Sequence, residues 1–255
     1  MITKTINFTV NTKTVSLIVP WEDTDRRMLF MQNGFWPVEH FNDDQVINVL
    51  STRLSDRLQS LLIALLSLND NAIIIDIGAG NSLVDFAIQA LLPEKNFKFV
   101  LIDGNDDLAT STKTRGFYNE QEYDTYNSWS FVNSLINVNN FNKDNFSLKS
   151  PTDDWGPQCD LIMTLSSCGW HYPIDVYLNK IVSLVKDGGY FMCAGLLNID
   201  NAFNKVNSHF KNVVLHQKIE FNAKFSPSDA AKMQEFFATG RVPIDNFASA
   251  TMWKK

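Results

Sequence analysis

The sequence predicts an α/β fold, doubly wound around a mostly parallel sheet. Three observations lead there. From residue 72 onward, short apolar runs rich in Ile, Val, Phe and Leu alternate with segments of helical period. The connections between many of them are short, which favours parallel strands joined by crossover helices. The first apolar run ends in Asp76, followed by Gly78 and Gly80, and leads straight into a helical pattern.

The elements follow in order. Ile6, Phe8 and Val10 alternate with polar residues, as do Val15, Leu17 and Val19, and "NTKT" between them reads as a turn, so residues 1–20 are a hairpin. Residues 21–42 are rich in aromatic side chains but have no clean period, and read as irregular structure or short helices. Residues 43–68 form a long helix, with Val46, Val49, Leu50, Leu54, Leu58, Leu61 and Leu65 recurring at three and four and Asp43 or Asp44 as cap. "AIIIDIG" is a strand buried on both faces, 82–92 a helix stopped by Pro93, "FKFVLID" a strand, 129–138 a helix, and "FSLKS" and "CDLIMTLS" strands. Residues 173–185 form a helix with Asp187-Gly188-Gly189 as its stop, followed by the strand "YFMCAGL". A helix at 200–210, the strand "VVLHQKIEF", a capped helix at 226–240 and a last strand, "NFASATMWK", complete the pattern. The division is 1–70, a hairpin and helical cover, and 71–255, the main domain.

Composition narrows the function classes. The chain has 255 residues, 45% of them hydrophobic, enough for a full core. Its net charge of -6 and lack of a long Lys/Arg run make nucleic acid an unlikely partner. Cys159, Cys168 and Cys193 show no metal spacing and read as buried thiols of a reducing compartment. His40, His209 and His216 have no metal-ligand spacing either, so no metal is expected. "MITKTINFTV" lacks the apolar core of a signal peptide, and the longest greasy run, "LQSLLIALLSL", is too short to span a bilayer. A soluble, cytoplasmic protein acting on a small molecule, with no membrane partner, is expected.

The glycine turn carries the chemistry. Asp103 ends the second strand of the alternating region, 23 residues after Gly80, where a carboxylate can accept hydrogen bonds from both hydroxyls of a ribose. Together these features describe a site for a nucleoside-containing cofactor. A dinucleotide site would place a third glycine where Leu83 stands, and Asp76 would repel a pyrophosphate. The same carboxylate suits S-adenosylmethionine, which carries a sulfonium and an ammonium and no phosphate.

At these residues the chain resembles a known family. "IIIDIGAGNS", "FVLIDG" and "CDLIMTLSSCGWHYP…YLNKIVSLVKDGGYFM" are similar to the successive motifs of class I (Rossmann-like) S-adenosylmethionine-dependent methyltransferases, over roughly residues 71–197. The resemblance implies a seven-stranded sheet with its last strand antiparallel. It also implies that Asp76, Gly78 and Gly80, with Asn81 beside them, hold the methionine part, and that Asp103 and Gly104 hold the ribose. An acidic residue at the adenine position is not obvious; Asp153 or Asp154 is the candidate, with Trp155 stacking.

The segment after the fourth strand of this region faces the transferring methyl in such enzymes. Here it is "LSSCGWHYP", which lacks the Asn/Asp-Pro-Pro-aromatic sequence of enzymes that methylate amino groups of DNA or glutamine. A hydroxyl acceptor on a small or sugar-like substrate is therefore expected. His171 is the candidate base, Trp170 and Tyr172 candidate walls of the methyl site, and Ser166 a candidate hydrogen-bonding residue toward the cofactor. Trp36 could cover the cofactor, and Arg26 and Arg27 could meet an anionic substrate. The alternative is a module that binds S-adenosylmethionine or S-adenosylhomocysteine without catalysis.

Overall fold

The computed structural model describes residues 1–31, 41–104, 127–165, 174–194, 204–212, 217–218 and 249–255. The chain begins with the expected hairpin. β1 (Thr3–Val10) and β2 (Lys13–Pro20) pair antiparallel with Val10 opposite Lys13, so the loop is two residues, and Asn11 takes a positive φ of 57° there. The period of two puts Ile6, Phe8, Val10, Val15, Leu17 and Val19 on one buried face.

That face packs on helices rather than on the large sheet: β1 on α2 (Asp43–Ser67), β2 on α3 (Leu83–Leu91) and α4 (Trp129–Val138). Polar residues spaced by four on α2 run beside the edge of β1. Ser51 Oγ donates to the Asn7 carbonyl, Ser55 Oγ accepts from the Thr9 N–H at 3.1 Å, and Gln59 Oε1 accepts from the Asn11 N–H at 2.9 Å. On the other edge the Asn139 amide imitates a strand. It accepts from the Ile18 N–H at 2.9 Å and donates to the Ile18 carbonyl at 2.7 Å.

Residues 21–42 include one regular helix, α1 (Asp23–Met31). The cap of α2 is neither Asp43 nor Asp44. Asn42 Oδ1 accepts from the Gln45 N–H at 3.0 Å and the Asn42 N–H donates to Gln45 Oε1 at 2.9 Å, a reciprocal capping box. Asp43 instead forms ion pairs with Lys4 at 3.3 Å and Arg26 at 3.0 Å. Arg26 also donates to the Phe41 carbonyl. This corrects the expectation that Arg26 waits for an anionic substrate: its guanidinium holds α1 to the start of α2.

The large sheet has the order β5-β4-β3-β6-β7-β10-β8, with β9 also on β10. Its strands are β3 (Ile73–Ile77), β4 (Lys98–Ile102), β5 (Phe146–Lys149), β6 (Cys159–Leu165), β7 (Val185–Ala194), β8 (Lys211–Asn212), β9 (Gln217–Lys218) and β10 (Ser249–Lys254). The first five are parallel, and β10 lies antiparallel between β7 and the short pieces β8 and β9. The order reverses between β3 and β6, which places a cleft at their carboxyl ends.

One correction concerns α5 (Asp175–Leu184). It ends at Leu184, one residue before the expected Val185, but the Asp187-Gly188-Gly189 expected as its stop lies inside β7, because Val185 already pairs with Cys159. Gly188, at φ 81°, sits where the register between β6 and β7 shifts, and its N–H donates to the Lys255 carbonyl at 3.0 Å. The helix expected at 226–240 lies outside the described residues.

Alternation along the strands divides the core. Ile74, Phe99, Leu101, Leu161 and Met163 face α2, α3, α4 and the hairpin in one cluster. Ile75, Val100, Ile102, Ile162 and Phe191 face α5 in the other, which also buries Cys159 and Cys193. Residues 1–70 thus contribute to the same cluster as one face of the sheet. Among the described residues, no helix is long and apolar enough to cross a membrane.

Candidate functional site

β3 ends at Ile77 and the chain turns sharply at Gly78 (φ 76°) and Gly80 (φ 56°), a left-handed conformation that glycine adopts without a Cβ penalty. The turn is stitched to the next strand. The N–H groups of Gly78 and Ala79 both donate to the Ile102 carbonyl, at 2.8 and 3.2 Å. Asp103, one residue beyond β4, closes the corner: Oδ2 accepts from the Gly80 N–H at 2.6 Å and Oδ1 from the Gly104 N–H at 2.7 Å. A carboxylate oxygen can accept more than one hydrogen bond, so these contacts fix Asp103 without exhausting it. Gly78, Gly80, Asp103 and Gly104 therefore meet at one corner, beside Asp76 on β3. Buried Asn81 helps form the turn, its Oδ1 accepting from the Leu83 N–H at 3.2 Å. Among the described residues no atom lies within 4 Å of where a Cβ on Gly104 would stand.

Ser82 leads into α3 with a positive φ of 56°, and its buried hydroxyl accepts no capping hydrogen bond and has no hydrogen-bond partner among the described residues. A side chain in this conformation costs roughly 1–2 kcal/mol. Ser82→Gly is therefore expected to raise unfolding stability by about 1 kcal/mol in urea denaturation. An unchanged or lower midpoint would show that the hydroxyl offsets the strain.

Asp76 is 3% exposed. Burial is the main reason its carboxyl is pushed up to about 7; a hydrogen bond with Asp85 lowers it, the Asp103 charge raises it, and the Arg57 charge lowers it. Asp85, in the first turn of α3, is fully buried, and burial followed by the neighbouring Asp76 raises its carboxyl well above the usual range. Arg57 comes from α2; burial lowers its guanidinium and the charge of Asp76 opposes that. Neither Asp85 nor Arg57 was anticipated from the sequence. The available signal for Asp85 was an acid set inside "LVDFAIQAL", an otherwise almost wholly apolar helix.

The segment after β5 behaves differently from expectation in one respect. Asp153 is exposed and follows β5, its Oδ2 accepting from the Ser150 N–H at 2.8 Å. Trp155, however, is fully buried, with its ring 5.5 Å from that of Tyr177 and the Lys180 ammonium 3.8 Å above it. It is part of the α5-side core and has no face to stack on a ligand. Trp36, Ser166, Trp170, His171 and Tyr172 lie outside the described residues. Among the described residues no group of His, Cys, Asp and Glu could hold a metal ion.

A cavity of about 220 Å³ lies between α1 and the start of α4, lined by Thr24, Asp25, Met28, Ser128, Ser130, Phe131 and Ser134. Asn127, the residue before the cavity's Ser128, donates from its side-chain amide to the Gly104 carbonyl.

No protein-family model matches the sequence, and no curated protein matches it. Solved structures do. A candidate sarcosine dimethylglycine methyltransferase from Galdieria sulphuraria is similar over 84% of this chain and 90% of its own, with a TM-score of 0.52 and 12% identity. The precorrin-6y C5,15-methyltransferase from Geobacter metallireducens GS-15 matches over 78% of this chain and 88% of its own, with a TM-score of 0.45 and 17% identity. At such identity the likeness is one of fold: the chain shares the doubly wound, Rossmann-like α/β architecture of the Galdieria methyltransferase.

Proposed function

We propose that this chain is an S-adenosylmethionine-dependent methyltransferase that methylates a hydroxyl of a small or sugar-like substrate. The observation that carries the reading is the placement of two carboxylates, Asp76 and Asp103, at the ends of adjacent parallel strands around the Gly78–Gly80 turn. A pyrophosphate at that turn would meet acidic charge on two sides, whereas a cationic nucleoside meets acceptors for its ammonium and its ribose hydroxyls. The residues fit the cofactor: among the described residues, buried Asp76 has an oxygen, Oδ1, with no hydrogen-bond donor, and nothing stands within 4 Å of a Cβ position on Gly104.

When bound, S-adenosylmethionine supplies an electrophilic methyl group. The protein's part is to align an acceptor with it and to take the acceptor's proton. Alignment can supply a large share of the rate. The cavity between α1 and α4 supports a hydroxylated acceptor, since Thr24, Ser128, Ser130 and Ser134 line it together with Asp25. His171 is the proposed base, and Trp170 and Tyr172 the proposed walls. Trp36 is the proposed cover, Asn81 and Ser166 the further proposed contacts to the cofactor, and Asp153 the proposed adenine contact.

Calorimetric titration with S-adenosylmethionine and S-adenosylhomocysteine tests the cofactor, and a panel of polyols, sugars and a structured RNA tests the acceptor. Micromolar binding and methylation of a polyol are expected. His171→Ala should then lower kcat by about 100-fold or more while cofactor affinity changes less than about threefold. Binding without turnover on any acceptor would favour the non-catalytic module, and no binding to the folded protein would remove the reading.

A further inference from the structure

Asp85 touches the site from behind. It is the third residue of α3, fully buried, and among the described residues neither of its oxygens has a hydrogen-bond donor from another residue; Asp76 Oδ1 is buried in the same condition. Buried acceptors without a donor are costly, and two ionised carboxylates in contact also repel. One proton relieves the repulsion and joins one oxygen of each acid, because the acid that holds it becomes the donor to the other.

The surroundings decide which acid holds it. From α2, the Arg57 charge acts on Asp76, with Arg53 and Asp56 as the next charges along that helix. From the end of β4, Asp103 also faces Asp76. Among the described residues the side chain that acts on Asp85 is Asp76, and its own backbone amide is the other polar contact. With the cation on the Asp76 side, the negative charge belongs there and the proton on Asp85.

On the reading that this corner binds S-adenosylmethionine, we propose that Asp85 is a positioning residue: it holds a proton, donates it to Asp76 and fixes that carboxylate for the cationic amino-acid end of the ligand. The two acids then present one negative charge instead of two. They also form a single hydrogen-bonded unit, so the rotamer of Asp76 is set before the ligand arrives.

The first test needs no ligand. Carbon-13 NMR of aspartate-labelled protein, assigned with Asp76→Asn and Asp85→Asn, follows both carboxyls with pH. Asp85 is expected to keep its proton through the range in which Asp76 titrates near neutrality. Ionisation of Asp85 below pH 5 would overturn the proposal.

The second test is S-adenosylhomocysteine affinity between pH 6 and pH 8. Asp85→Asn keeps a neutral donor next to Asp76, so its pH profile should overlay the parent's, with affinity within about threefold. Asp85→Ala removes the donor, moves the profile to higher pH and weakens binding at pH 7 by about tenfold. A profile that moves down by about one pH unit or more in Asp85→Asn would mean that a negative charge had been removed, and would also overturn the proposal. If the parent protein binds no S-adenosylhomocysteine at any pH, the cofactor reading fails, and the NMR titration still decides where the proton resides.

Discussion

Asp103→Ala is expected to weaken binding of S-adenosylmethionine and S-adenosylhomocysteine by about 150-fold or more in calorimetry. The substitution removes the proposed acceptors for two ribose hydroxyls, and hydrogen bonds to a charged group are each worth roughly 1.5–3 kcal/mol. It also frees the N–H groups of Gly80 and Gly104, which Asp103 holds at 2.6 and 2.7 Å. The turn therefore loses its anchor together with the ligand contact. Asp103→Asn keeps an acceptor and the shape but loses the charge, so it should fall between. Unchanged affinity in the alanine variant would take Asp103 out of the ribose contact.

Asp76→Asn should make the protein more stable and less able to bind. The folded carboxyl is raised to about 7 from an ordinary value of 3.8, chiefly by burial. Between those values the folded protein keeps a proton that the unfolded chain has released. The stability linked to this group is thus greatest in acid and is lost as pH rises toward and through 7. Asparagine has no proton to lose. The variant's advantage over the parent in urea unfolding should grow from pH 5 to pH 8, by roughly 2 kcal/mol. At pH 8 its cofactor affinity should drop by at least about 30-fold, since the ammonium loses its counter-charge. Unfolding curves that keep the same separation at both pH values would show that Asp76 is not perturbed as described. The trade between stability and binding is what a buried site acid would produce.

The readability of the sequence follows from where the determinants lie. β3, the turn and α3 were legible because everything that makes them is local: a run of β-branched residues, two glycines and a helical period. The carboxylates at the strand ends were legible for the same reason, and their convergence followed from parallel pairing of β3 with β4. The Asn42–Gln45 capping box was also present as a spacing, but adjacent Asp43 and Asp44 are equally good caps by residue type, and the ion pairs with Lys4 and Arg26 take Asp43 elsewhere. The end of α5 was legible to within a residue, but Asp187-Gly188-Gly189 was read as a stop because glycine normally marks one, whereas here Val185 is captured by Cys159 across the sheet and the glycines lie within β7. Trp155 was assigned to a ligand on proximity in sequence to Asp153; only packing against Tyr177 and Lys180 shows that it faces the core. Asp85 could be seen as anomalous, but its partner is nine residues earlier on another element, a distance no helical period reports.

Helix α3 has a consequence of its own. Eight of its nine residues are buried, with the sheet and α2 on one side and the hairpin strand β2 on another. A helix enclosed in this way opens only when the surrounding core opens. Its amides should rank among the slowest in the molecule to exchange with deuterated solvent, and ligand addition should change them little. The wall that receives a ligand is then already ordered, and the entropy lost on association is lost by other segments and by the ligand itself.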